Sequence, residues 1–136
     1  MIIVKAIIET DTDGKYGVYI DLYEKRLSYG IIGDGNTVQE AIADFENSYE
    51  EMKTYYAEIN KTFQEAKFEY HYDMASFLQF YTTYFSLAGI SRLSGINQAQ
   101  LSHYLNGVRT PSKQTIRKID TCIHDFANNL SRVQFV

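Results

Sequence analysis

Residues 87–117, LAGISRLSGINQAQLSHYLNGVRTPSKQTIR, constrain the fold of this chain more than any other stretch, because they fit two short helices set at an angle. Gly95 stands between the two, and glycine takes the positive φ of a tight turn at no steric cost. Asn97 is a helix-capping residue type, and the polar helix after it keeps its apolar positions at Leu101, Tyr104 and Leu105. Ile90 and Leu93 before the turn, with Ile96 and Leu101 after it, are expected to form the small core that sets the angle. This is the pattern of a helix-turn-helix, and it points Gln98, Gln100, Ser102 and His103 away from the core, where they can read base edges. The stretch closes on Asn106-Gly107, a helix C-cap signal, and then Arg109, Pro111, Ser112 and Lys113. The candidate DNA contacts are therefore Asn97, Gln98, Gln100, Ser102 and His103, with Arg109 and Lys113 on phosphate and Arg92 and Arg117 as further candidates. The alternative is a helical hairpin that only packs.

This segment resembles the helix-turn-helix of phage repressors and their bacterial relatives. There an L-x-x-Y-x-x-G-like recognition helix, here Leu101, Tyr104 and Gly107, runs into a basic loop and a capped helix.

Charge divides the chain in two. Residues 1–72 carry seven Lys/Arg against fourteen Asp/Glu, whereas residues 73–136 carry six against three, for a net charge of -4. The acidic half suits a basic protein partner and the basic half suits phosphate. The single cysteine, Cys122, excludes an intramolecular disulfide and a thiolate-rich metal site. Its neighbours Ile119, Ile123 and Phe126 make it a buried structural thiol by expectation. No apolar run reaches membrane-spanning length and MIIVKAIIE carries no small-residue cleavage site, so a cytoplasmic location is expected.

The first domain, residues 1–72, begins as strands. Ile2, Val4, Ala6 and Ile8 fall on one face of the first, opposite Ile3, Lys5, Ile7 and Glu9. Asp11 to Lys15 is a turn, and alternation over Tyr16–Leu22 and Leu27–Ile32 predicts a three-stranded antiparallel meander. A turn at Gly33-Asp34-Gly35-Asn36 leads to a capping box, Thr37 with Glu40 three residues on. The helix that follows has an apolar stripe at Val38, Ile42, Phe45, Tyr49, Met52, Tyr56, Ile59 and Phe63, read as packing across the sheet. Its outer face carries Glu40, Asp44, Glu46, Glu50, Glu51 and Glu58. Lys67 to Tyr72 then reads as a fourth strand, completing β-β-β-α-β.

That order, with GDGNTVQEA over residues 33–41, resembles the HicB family of antitoxins, in which a G-x-T-x-x-E-A-like helix start follows three strands. Many members append a DNA-binding domain, as residues 87–118 do by their own pattern. The resemblance implies an α+β protein: a degenerate RNase H-like domain over residues 1–72, then an all-α helix-turn-helix domain over residues 73–136. It implies further that the first domain binds and blocks a small basic, mRNA-cleaving HicA-like toxin, while the second represses its own operon on double-stranded DNA. Where many members have a proline- and glycine-containing loop, this chain has Asp21-Leu22-Tyr23-Glu24-Lys25-Arg26. The toxin-facing candidates are Tyr19, Asp21, Tyr23 and Glu24, because tyrosines, here including Tyr16 and Tyr29 on the strands, are favoured at interfaces.

An enzyme of RNase H-like fold needs carboxylates converging at strand centres to hold two metal ions. Glu9 and Asp21 lie at strand ends and Glu69 stands apart, while His71, His103 and His124 have no metal-like spacing. No catalysis, metal or other cofactor is expected. In the second domain, Asp73 is read as capping a helix with Met74, Phe77, Leu78, Tyr81, Tyr84 and Phe85 on its apolar face. Ser112 caps a last helix striped by Ile116, Ile119, Ile123, Phe126 and Leu130. Phe126 to Val136 exceeds the needs of a small bundle and offers a surface for a second subunit, which two-fold DNA readers require. The competing function is a free-standing helix-turn-helix regulator whose first domain senses a ligand or mediates assembly.

Overall fold

The computed structural model describes residues 1–11 and 13–136, and these form two compact units, Met1–Asp73 and Met74–Val136. The chain is mixed α+β, with one four-stranded mixed sheet and five helices among the described residues. Strands β1 (Ile2–Thr10), β2 (Tyr16–Ile20) and β3 (Ile32–Gly35) precede helix α1 (Val38–Glu58), and strand β4 (Ala66–Tyr72) follows it. The sheet order is β3-β2-β1-β4: β1, β2 and β3 pair antiparallel, and β4 lies parallel to β1. One side of β1 is buried through Val4, Ala6 and Ile8, as alternation predicts, while Ile3, Lys5 and Glu9 are exposed on the other. Of the turn expected over residues 11–15, Thr12 lies outside the described residues.

The third strand departs from expectation. Residues 27–31 form a loop, and pairing runs through Ile32–Gly35, which overlaps the expected strand only at Ile32. Gly33 and Gly35 were expected in a turn, but they belong to the strand because α1 lies directly on it. A Cβ on Gly33 would collide with Ala41 O and Phe45 N, and one on Gly35 would stand 2.6 Å from Glu40 Cβ. The missing side chains let helix and strand backbones touch. β2 is also shorter than expected: after Ile20 the Tyr23 N–H donates to Asp21 Oδ1 at 3.1 Å and the Glu24 N–H to Asp21 O at 2.9 Å, turning the chain out of the sheet.

Helix α1 starts on a capping box. Thr37 Oγ1 accepts from the Glu40 N–H at 3.1 Å, and Glu40 reaches back to the Asn36 N–H at 2.8 Å, one residue before the usual partner. Val38, Ala41, Phe45, Tyr49 and Tyr56 are buried against the sheet. The helix ends earlier than the apolar stripe implies, because Asn60 takes φ 55 and the Lys61 N–H closes on Tyr56 O at 2.9 Å. Phe63 therefore lies beyond the helix, yet it still packs, stacked on Tyr29 at 4.6 Å between centroids and 5.4 Å from Tyr49 and from Tyr56. Tyr29 is thus a packing residue of the loop, not a strand residue, and its hydroxyl donates to Gln64 O at 2.6 Å.

The second unit holds helices α2 (Met74–Tyr81), α3 (Leu87–Ser94), α4 (Gln98–Leu105) and α5 (Lys113–Leu130). Leu78, Ile90, Ile96, Leu101, Tyr104 and Ile119 form its buried core. α2 stops at Tyr81, so Tyr84 and Phe85, expected on its apolar face, lie past its end and are exposed, with Phe85 edge-on to Phe126 at 5.8 Å. Along α5 only Ile119 is buried; Ile116 and Leu130 are exposed, and Cys122 is half-buried. α5 packs on α3 and joins the core through Ile119, which leaves Ile116 and Leu130 at the two ends of its stripe uncovered.

The glycine contact yields a test. Gly33→Ala should destabilise the protein by about 1–3 kcal/mol through overpacking, measured as a lower urea midpoint at unchanged slope. Gly30→Ala, where a Cβ meets nothing within 4 Å, should leave the midpoint in place.

Candidate functional site

The helix pair α3–α4 is built from local chemistry outward. Ser86 Oγ caps α3 by accepting the Gly89 N–H at 3.0 Å, and Gly95 ends it with φ 72, the left-handed conformation that its position after the helix demands. Leu93 does not join the core and is 39% exposed; the buried place one residue later belongs to Ser94. Ser94 fits there because its hydroxyl donates to Ile90 O at 2.8 Å and accepts from the Ile96 N–H at 3.2 Å, leaving no buried polar atom unsatisfied. Ser91 Oγ adds a 2.5 Å bond to Ile96 O. Both serines hold the turn, and sequence reading passed over them; their position in the last turn before a helix-ending glycine was the available signal.

Ile96 and Leu101 then anchor α4, with Tyr104 buried a turn below. Asn97 caps it through the Ala99 N–H at 2.8 Å, so its side chain is committed to the helix start. Gly107, at φ 71, closes the other end, with the Val108 N–H on His103 O at 2.9 Å. At about 100° per residue, burying Leu101 and Tyr104 turns Ala99 and His103 most directly outward. Gln98 and His103 are exposed. Gln100 is exposed but leans back, its Nε2 donating to Tyr104 Oη at 2.6 Å, and Ser102 is half-buried with Asn106 Nδ2 at 3.4 Å. Arg109, in the loop after α4, and Lys113, the first residue of α5, are both exposed. Ser112 caps α5 through the Thr115 N–H at 3.2 Å. Neither α4 nor α5 has an acidic residue in its first turn, so their N-terminal partial positive charge is uncompensated. Sequence reading also missed Lys118, whose Nζ lies 3.6 Å from where a Cβ on Gly95 would stand, beside the α3–α4 turn.

The candidates in the first unit are more occupied than their types imply. Tyr19 donates to Glu9 Oε1 at 2.6 Å, and burial followed by that carboxylate pushes its phenol up to about 12. Asp21 holds the turn after β2 and stands 3.9 Å from Lys5 Nζ. Glu24 is gripped by the Arg26 guanidinium at 2.7 and 2.9 Å, which lowers its carboxyl from 4.5 to about 2. Arg26 in turn donates to Ile3 O at 2.9 Å, pinning the loop to β1. Only Tyr23, 86% exposed, is uncommitted, and it lies in this loop and not on a strand. Among the described residues no group of three or more His, Cys, Asp or Glu is placed to hold a metal ion.

The Glu24–Arg26 pair predicts a pH dependence. A carboxyl whose pKa is lowered in the folded state adds stability that is whole above 4.5 and is lost as pH falls toward about 2. Arg26→Met should return the Glu24 titration, followed by carboxyl NMR shifts, toward 4.5; a titration still near 2 would mean the guanidinium is not its cause.

No helix of the described residues is long and apolar enough to cross a membrane. No protein-family model matches the chain, and neither a curated protein nor a solved structure matches it.

Proposed function

We propose that this chain is a HicB-type antitoxin, a cytoplasmic protein that blocks a small basic, RNA-cleaving toxin through residues 1–72. In this reading it represses its own operon through a helix-turn-helix formed by α3 and α4. The observation that carries the reading is the face of α4: a capped, polar helix surface anchored from behind by Ile96, Leu101 and Tyr104. Arg109 and Lys113 follow it in the chain, Lys118 lies beside the turn before it, and the helix starts of α4 and α5 are uncompensated. Such a surface suits a major groove, with His103 and Gln98 toward base edges and the cations on phosphate. Gln100 holds one N–H on Tyr104 and keeps its carbonyl oxygen and second N–H for a base. Asn97 serves by presenting the helix start.

The β-β-β-α-β order of the first unit is the order that the HicB resemblance implies, and its degenerate RNase H-like character belongs to the same proposal. The acidic outer face of α1 supports a basic partner. Exposed Leu130, Val133 and Phe135 at the end of the chain support pairing with a second copy, which places two recognition helices on one operator.

Two measurements test this reading. On DNA from upstream of its own gene, the Gln98→Ala/His103→Ala variant should lose about 1–3 kcal/mol of specific binding per base contact removed. Lys113→Ala should lower the slope of log affinity against log salt by about 1. Unchanged binding in both variants would place the DNA surface elsewhere. Mixing the protein with the product of an adjacent short, basic gene should abolish RNA cleavage by that product; undiminished cleavage would leave a free-standing regulator.

A further inference from the structure

Two grooves flank α1 where it crosses the sheet. The one beside β3 contains a single carboxylate, Glu51, and on that strand the Asp34 N–H is already taken by Asp44 Oδ2 at 2.9 Å. The other, about 530 Å³, runs between α1 and β4. Its aromatic residues are Tyr49, Phe68 and Tyr70, and its helix wall carries Glu46 and Glu50, one turn apart. Lys67 is the only basic residue of the lining, and strand alternation sends its side chain to the face opposite Phe68.

Three features of this groove act together. β4 is an outermost strand of the sheet and seven residues long, against four for β3, so it offers the longer edge for main-chain pairing. Glu46 accepts the Tyr70 hydroxyl at 2.9 Å, and neither Glu46 nor Glu50 forms an ion pair among the described residues. Lys53, the nearest cation on α1, is engaged by Glu65. Carboxylates outside any ion pair, set beside aromatic rings, match a guanidinium, which can bond to the first and stack on the second.

We infer that the β4 edge and the adjoining α1 groove dock an extended, arginine-bearing segment of a partner protein as an added strand. Arginines would lie against Glu46 and Glu50, and apolar side chains against Phe68 and Tyr70. A second copy pairing through the same edge is a poor occupant, because it would bring its own Glu46 and Glu50 to the groove. The inference rests on the antitoxin reading and deepens it, naming the face that meets the basic partner. It also moves that face away from Tyr19, Asp21 and Glu24, whose polar groups are already bonded within the unit.

The test uses the full chain and a labelled short peptide alternating arginine and valine, followed by fluorescence anisotropy. Saturable binding is expected, with slower amide exchange over residues 66–71. Glu46→Gln/Glu50→Gln, which keeps an acceptor for Tyr70, should weaken binding about tenfold, while Glu58→Gln, outside the groove, should not. A peptide with serine in place of arginine should bind no better to the native chain than to the double variant. Absent saturation, equal affinity in the double variant, or protection along β3 instead of β4 would each overturn the inference. The assay needs neither toxin nor DNA, so it can fail while the purified partner still binds and is silenced, which would leave the antitoxin reading standing with a different docking face.

Discussion

The turn from α3 into α4 decides what the second unit can present to a partner. Gly95 reverses the helix in a left-handed conformation, and Ile96 is buried in the next step. Between them the chain has to satisfy its backbone in a half-dry corner, and the hydroxyls of Ser91 and Ser94 supply the partners. With that corner held, Leu101 and Tyr104 follow into the core and the opposite face of α4 is left polar and exposed. Filling the corner with a leucine would leave the Ile96 N–H without its serine acceptor. That is why Ser94, and not Leu93, holds the buried place.

Close approach governs the first unit as well. Gly33 and Gly35 remove the side chains that would separate β3 from α1, so the helix lies low across the sheet and Phe45 reaches full burial. The same placement turns the helix's carboxylates outward. Elsewhere in the unit Glu24 is ion-paired with Arg26, Glu65 with Lys53, and Asp21 with Lys5. The six carboxylates of α1 form no ion pair among the described residues, so the acidic character available to a partner is densest there, and not in the loop after β2.

Local signals were legible in the sequence where one residue's chemistry suffices. Alternation in β1 marks the buried side because that sheet face is covered, and Thr37, Asn97 and Ser112 cap the helices they precede. Signals with two physical meanings were misread. Glycines at 33 and 35 serve a turn or a close backbone contact equally well, and only the position of α1 chooses between them. The apolar stripe through Ile59 and Phe63 continues past the end of α1 because Phe63 still packs on Tyr29 from the connecting segment. A phase error of one residue exchanged Leu93 for Ser94, since periodicity alone favours the apolar side chain. Pairings that depend on the path of the whole chain, such as Arg26 on Ile3 O or Lys118 beside Gly95, have no sequence signal.

The proposed function implies a division of labour, in which the outward face of α4 would meet DNA and the sheet unit would not. Backbone NMR shifts of the full chain, followed while DNA from upstream of its own gene is added, address this most directly. Shifts confined to residues 95–103, 107–113 and Lys118 are expected. Shifts centred on α1 or β4, or none at saturating DNA, would contradict that division.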